Sequence, residues 1–133
     1  EFQHIMYQNP DLTPDQRNQT WLELEHKYRP WIDFDNLPFY GRGAGWQRQL
    51  HIYECPFYYI DYCLSTMAAL QFFLLSLHDQ KDAWERYLRL VRRAGTASYT
   101  ELCETAGLQV PFRDGSIKAI AQQMSQWIAE HQV

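Results

Sequence analysis

Apolar residues recur at three- and four-residue steps along most of this chain, and recognisable helix starts and stops punctuate the recurrences. Through PFYYIDYCLSTMAALQFFLLSL (56–77), Ile60, Leu64, Met67, Leu70, Leu74 and Leu77 keep that step, while Phe72, Phe73 and Leu75 spread apolar surface onto other faces. The pattern predicts a long central buried helix packed on several sides, opened by Pro56 at a first position that needs no backbone donor. Thr13 as cap, Pro14 and Gln16 predict a helix from Pro14 to about Tyr28, stopped at Arg29-Pro30. Trp84, Tyr87, Leu88 and Val91 form a stripe on a helix over 82–94 that Gly95 terminates, and Ser98 with Glu101 caps a short helix that Gly107 closes. Asp114 to Ser116 start a last amphipathic helix with Ile117, Ile120, Met124, Trp127 and Ile128 inward, and the opening FQHIMY also reads as helix. Residues 31–45, rich in Asp, Gly and Pro, read as a long connection. No run of strand period competes, so the expected fold is all-α.

Composition and charge narrow this further. With 133 residues, 46% hydrophobic and 16% aromatic, the chain can build the core of one domain or of a piece of one. A formal charge of -4 disfavours nucleic acid or an anionic membrane as partner. Cys55, Cys63 and Cys103 are odd in number and unevenly spaced, which suits neither a disulfide framework nor a zinc ribbon and points to a reducing cytoplasm. No signal-peptide pattern is visible, and a start at Glu1, inside a helical pattern, leads us to expect a fragment of a longer protein. Residues 56–77 hold one charge, Asp61, and would run about 33 Å as a helix, the length of a membrane span. Ser65, Thr66, Gln71 and Ser76 interrupt the apolar run, so we expect a core helix and no membrane.

Most constellations that invite a chemical reading lack a necessary part. Glu1 with His4 and Glu23 with His26 are E-x-x-H pairs, but a di-iron site needs two further inward glutamates and no clear pair is present. The H-E-x-x-H of a zinc protease is missing from these residues. Gly41, Gly43 and Gly45 make G-x-G-x-G, without the strand or the Lys-Ser/Thr of a nucleotide loop. Arg86, Arg89 and Arg93 read as a solvated stripe.

The segment WQRQLHIYECPFYYIDY (46–62) is different, because it sets His51 and four tyrosines between a glycine-rich loop and a helix start. On a helix, Tyr58 and Tyr62 are four apart and Tyr59 and Tyr62 three apart, so either pair can aim phenols the same way. Aromatics at this spacing also serve as ordinary core, with hydroxyls bonded to backbone. With His51 just upstream, the group can alternatively grip a carbonyl oxygen as it turns negative.

WQRQLHIYECPFYYIDYCLSTMAALQFF resembles the C-terminal part of oligoendopeptidase F, in the thimet oligopeptidase family of zinc metallopeptidases. The resemblance extends through EFQHIMYQNP, TPDQRNQTW, KYRPW and AGTASYTELCETAGLQVPF. It implies that residues 1–133 are a helical C-terminal segment of a zincin-type catalytic domain that hydrolyses short peptides in a deep cleft. The zinc ligands, two histidines of H-E-x-x-H and a later glutamate, would lie upstream in the intact enzyme. The implied partners are an oligopeptide substrate and the missing N-terminal part of the same enzyme. His51 and Tyr62 match the family's transition-state-binding residues, and Tyr59 fits the other tyrosine, although the gap from His51 to Tyr62 is one residue shorter than in the thimet branch. Tyr58 is its rival for that role. Tyr53 and Arg48 would add substrate contacts, and Gly43 and Gly45 would let the loop close over a peptide. Such a segment is expected to be inactive alone and, with surface normally covered, prone to self-association. The alternative is a non-enzymatic helical interaction module in which the aromatics are only core.

Overall fold

Local capping chemistry decides where several helices begin and end. The computed structural model describes residues 1–131, and among these it contains α-helices, one 3₁₀ helix and no strand, as the periodicity leads one to expect. The chain divides into two compact units, Glu1–Tyr59 and Ile60–Val133.

In the first unit, α1 (Phe2–Gln8) buries Phe2 and Met6, one turn apart. Helix α2 (Pro14–Tyr28) opens with the expected capping box: the Thr13 amide donates to Gln16 Oε1 at 2.8 Å, and the Gln16 amide donates to Thr13 Oγ1 at 3.3 Å. It ends at Tyr28, two residues before Pro30, and the capping Arg29 pairs with the buried Glu25 carboxylate. Phe2 lies edge-on to Trp21 with ring centres 5.0 Å apart, joining α1 to α2.

The segment after α2 is tied by its own backbone bonds, from Gly41 to Leu37 (2.7 Å) and from Gly43 to Tyr40 (2.8 Å) among others. It leads into a 3₁₀ helix, Ala44–Arg48, and then α3, Leu50–Glu54. Sequence periodicity revealed neither, because each spans only five residues. Gly43 stands at φ +75°, and a Cβ there would come within 2.0 Å of the Asn18 carbonyl oxygen. A glycine is therefore required for the close approach to α2.

The helix start at Pro56 is a correction. Pro56 and Phe57 instead form the corner of a turn, closed by a 3.1 Å bond from the Tyr58 amide to the Cys55 carbonyl, and the next helix, α4, begins at Tyr59. Proline fits both sites because both ask for a φ near −65° and no donor. Phe57 follows at φ +64°, a position that favours glycine. Its amide donates to Gln3 Oε1 at 3.1 Å and its ring meets Tyr7 at 5.4 Å, contacts that hold this strained residue in place.

In the second unit, which holds all of α4 (Tyr59–His78) but its first residue, α4 meets α5 (Gln80–Arg93) at Asp79, whose carboxylate accepts from the Lys81 and Asp82 amides at 2.9 and 3.0 Å. That cap starts α5 two residues before the expected Asp82. Helix α6 (Tyr99–Ala106) has its Ser98–Glu101 capping box and the left-handed Gly107 after it. Leu108 N–H reaches the Cys103 carbonyl at 2.8 Å and Gly107 N–H the Glu104 carbonyl at 3.0 Å, so the freed carbonyls are satisfied. Cys103, Ala106, Leu108 and Val110 form the core, with Ala68, Phe72, Leu75, Leu90 and Tyr99 packed on it. The Tyr99 hydroxyl donates to the Leu64 carbonyl at 2.8 Å, and burial pushes its phenol far above its ordinary range. Helix α7 (Ser116–Glu130) follows Gly115.

The long helix is present, but its burial is a second correction. Of α4 only Gln71 is buried, while Ile60, Tyr62 and Leu77 stand exposed. Its length and mean hydropathy of 1.5 meet the requirement for a membrane span. The Gln71 amide, however, packs on the segment after α6, accepting from the Gln109 amide at 2.7 Å and donating to the Gln109 carbonyl at 3.1 Å. Trp84, Tyr87 and Val91 of the α5 stripe are likewise exposed, as are Ile117 and Ile128 of α7, which periodicity turned inward. Periodicity identifies an apolar face; it does not supply the neighbour that covers it.

Candidate active site

Two tyrosine rings lie against His51. It lies on α3, half-buried, rather than on a flexible connection. The Tyr58 ring stacks on the imidazole with centres 5.1 Å apart and planes 16° apart, and the Tyr59 ring meets it edge-on at 4.9 Å. Both phenols remain partly open, each 42% exposed. The turn at Pro56 and Phe57 makes this possible, since it brings Tyr58 and Tyr59, the last two residues of the first unit, back to His51.

Tyr59 has a further partner. Its hydroxyl donates to Oε1 of Gln49, the residue joining the 3₁₀ helix to α3. Gln49 is fixed through its backbone, its amide bonded to the Trp46 carbonyl at 3.0 Å and its carbonyl accepting from the Ile52 amide at 2.9 Å. Trp46 is anchored in turn: its indole N–H donates to Asn18 Oδ1 on α2 at 2.9 Å, and its ring lies against Phe2 and Tyr53. Gln49 and Tyr59 both line a cavity of about 420 Å³ whose apolar wall includes Phe2, Trp21, Leu24 and Ile52 and whose polar wall includes Glu25 and Arg29.

The remaining expected residues fall in different places. Tyr62 lies in the second unit, on α4 three residues after Tyr59, and is 49% exposed. Tyr53 is exposed and stacked on Trp46 at 6.2 Å. Arg48 is bonded to the Tyr40 hydroxyl and lies over that ring. Gly43 and Gly45 do not line an open loop. Both are buried, and a Cβ on Gly45 would meet Trp21 Nε1 at 2.8 Å, so these glycines permit packing on α2. Gln49, Trp46 and Asn18 carried no signal in the sequence, since a lone polar residue or tryptophan in a loop has no spacing to mark it.

The E-x-x-H pairs are engaged otherwise. Glu1 accepts from the Tyr28 hydroxyl and, at 3.1 Å, from Lys27, contacts that hold its carboxyl below the usual range, and Glu23 accepts from Gln19 at 3.0 Å. Among the described residues no group of three or more His, Cys, Asp or Glu side chains is placed to hold a metal ion, so the donor set present does not fit zinc.

No protein-family profile and no curated protein sequence matches the chain. Solved structures do. An oligoendopeptidase F from crystals grown by microfluidic seeding superposes with a TM-score of 0.91 at 40% identity, covering 98% of this chain and 23% of that one. PZ peptidase A with an inhibitor gives 0.91 at 42% identity over 98% of this chain and 23% of its own. An oligoendopeptidase F from Bacillus anthracis str. Ames gives 0.74 at 32% identity, covering 99% of this chain and 20% of its own. The chain thus spans about a fifth to a quarter of the length of these proteins. In fold and in sequence it matches a segment of the oligoendopeptidase F family, as its own residues led us to expect.

Proposed function

We propose that this chain is the substrate-facing, C-terminal part of the active site of a cytoplasmic zinc endopeptidase acting on oligopeptides. The observation that carries this reading is the contact of the His51 imidazole with Tyr58 and Tyr59, two partly open phenols, in a chain whose solved relatives are named as peptidases. Zinc would be held by residues outside this chain. His51 and Tyr59 donate hydrogen bonds to the scissile carbonyl oxygen as it gains charge. Phenols suit this task because they donate without titrating near neutrality. Tyr62 is given the same role by the family pattern alone. Tyr58 orients the imidazole by stacking, Tyr53 and Arg48 contact the peptide further out, and Gly43 and Gly45 set the platform beneath.

The test is made in the enzyme that contains this segment. Tyr62→Phe is expected to lower kcat by about 10² to 10³ with a small change in KM. A loss confined to KM would reassign the tyrosine to ground-state binding. The segment alone is expected to release no product from a fluorogenic peptide, with or without added zinc.

A second reading draws on the exposed apolar faces of α5 and α7, on which Trp84 is 58% and Ile117 53% exposed. They would serve a non-enzymatic interaction module as well as the rest of an enzyme. Gene sequence upstream of Glu1 that encodes H-E-x-x-H and a later helical glutamate decides for the enzyme.

A further inference from the structure

A phenol has one proton to donate, and in this structure the Tyr59 proton is directed at a neighbouring side chain. Its acceptor, Gln49 Oε1, belongs to a residue whose backbone is bonded on both sides and whose position traces through Trp46 to Asn18 on α2. Both side chains reach the same cavity wall. A Tyr59 that donates to a substrate oxygen cannot at the same moment donate to Gln49. Among the uncharged side chains of this length, the carboxamide has a particular property. Rotated about its last bond, it presents Nε2 where Oε1 stood, so it can accept the phenol proton in one state and donate to the phenol oxygen in the other.

We infer that Gln49 is a positioning residue for Tyr59, which holds the phenol ready by accepting its proton when no peptide is bound and supports it by donating to its oxygen when the proton turns to the substrate carbonyl. No covalent bond is made or broken; the Gln49–Tyr59 hydrogen bond reverses its direction as the phenol proton turns to the substrate. This rests on the reading of Tyr59 as a substrate-facing group and adds a residue that neither spacing nor family pattern singles out.

The test uses the intact enzyme and a fluorogenic oligopeptide. Gln49→Glu is close to isosteric, but near neutrality its carboxylate can only accept, so the phenol proton stays with it. We expect kcat to fall about tenfold or more with KM little changed, since the exchange is lost in the transition state. As pH falls through the carboxyl's range the introduced group gains a proton it can donate, and the ratio of variant to parent turnover should rise. Gln49→Met keeps the length without either function, and is expected to lose turnover with no such recovery. In a Tyr59→Phe background, Gln49→Glu should cost nothing more. An equal loss with and without the Tyr59 hydroxyl, or a ratio flat with pH, overturns the inference while leaving Tyr59 in its role. Full turnover in Tyr59→Phe alone overturns the reading of Tyr59, and the inference falls with it.

Discussion

The two units are stabilised in different ways. The second unit is organised around small and aliphatic residues, with Cys103 and Ala106 fully buried and Leu108 and Val110 nearly so. The first is organised around rings and polar side chains: Trp46 bonded to Asn18, Arg29 bonded to Glu25, Tyr59 bonded to Gln49, and Phe57 held at a positive φ. Aliphatic packing is non-directional and tolerates modest changes of shape, whereas hydrogen-bonded ring clusters fix orientation. The unit with the oriented groups is also the one that contains His51 and Tyr59.

Substitutions that separate stability from turnover break or sharpen this contrast. The largest stability effect is expected at Ile120, 2% exposed, where Ile120→Ala should cost about 2–5 kcal/mol in urea unfolding and leave KM unchanged. Tyr59→Phe should do the reverse, lowering kcat by about 10² in the intact enzyme while urea unfolding stays close to that of the parent. Gly43→Ala falls between the two. Its added carbon meets the Asn18 carbonyl and its φ is unfavourable, so about 1–3 kcal/mol of stability should be lost, together with some turnover as the 3₁₀ helix shifts. If Gly43→Ala moved stability alone, the platform would not be coupled to the site.

A smaller effect compares the same device in each unit. The capping boxes of α2 and α6 differ in that one closes with Gln16 and the other with Glu101. Bonds from the Ser98 backbone and side chain hold the Glu101 carboxyl below its ordinary value of 4.5. A depressed folded pKa means stabilisation that is present above the unfolded value and lost as pH falls through the folded one. The α6 cap should therefore weaken in acid and the α2 cap should not. Glu101→Gln is expected to flatten the acid limb of thermal unfolding, and the same measurement on Gln16→Glu should introduce one.

Both capping boxes were legible in the sequence because they depend on residues three apart, and buried Ile120 of α7 because its step repeats, whereas on α4 the core takes Ala68, Phe72 and Leu75 and not the repeating residues. Pro56 was misread for a reason internal to proline: a helix's first position and a turn's second make the same demand on it. Gly43 and Gly45 were read as mobile because composition reveals permission to bend and not what packs above. His51, Tyr58 and Tyr59 were legible as a group, yet the partner that orients Tyr59 was not, since Gln49 meets it only after a turn whose left-handed residue is a phenylalanine.

Gln71 has a consequence of its own. Its carboxamide bonds both the N–H and the C=O of Gln109, so one side chain on a helix does for that residue what an adjacent β-strand would do. Asparagine falls a methylene short, glutamate offers no hydrogen, and methionine offers neither group. An all-helical protein has thereby borrowed a single rung of sheet, and the position that supplies it is open to one amino acid.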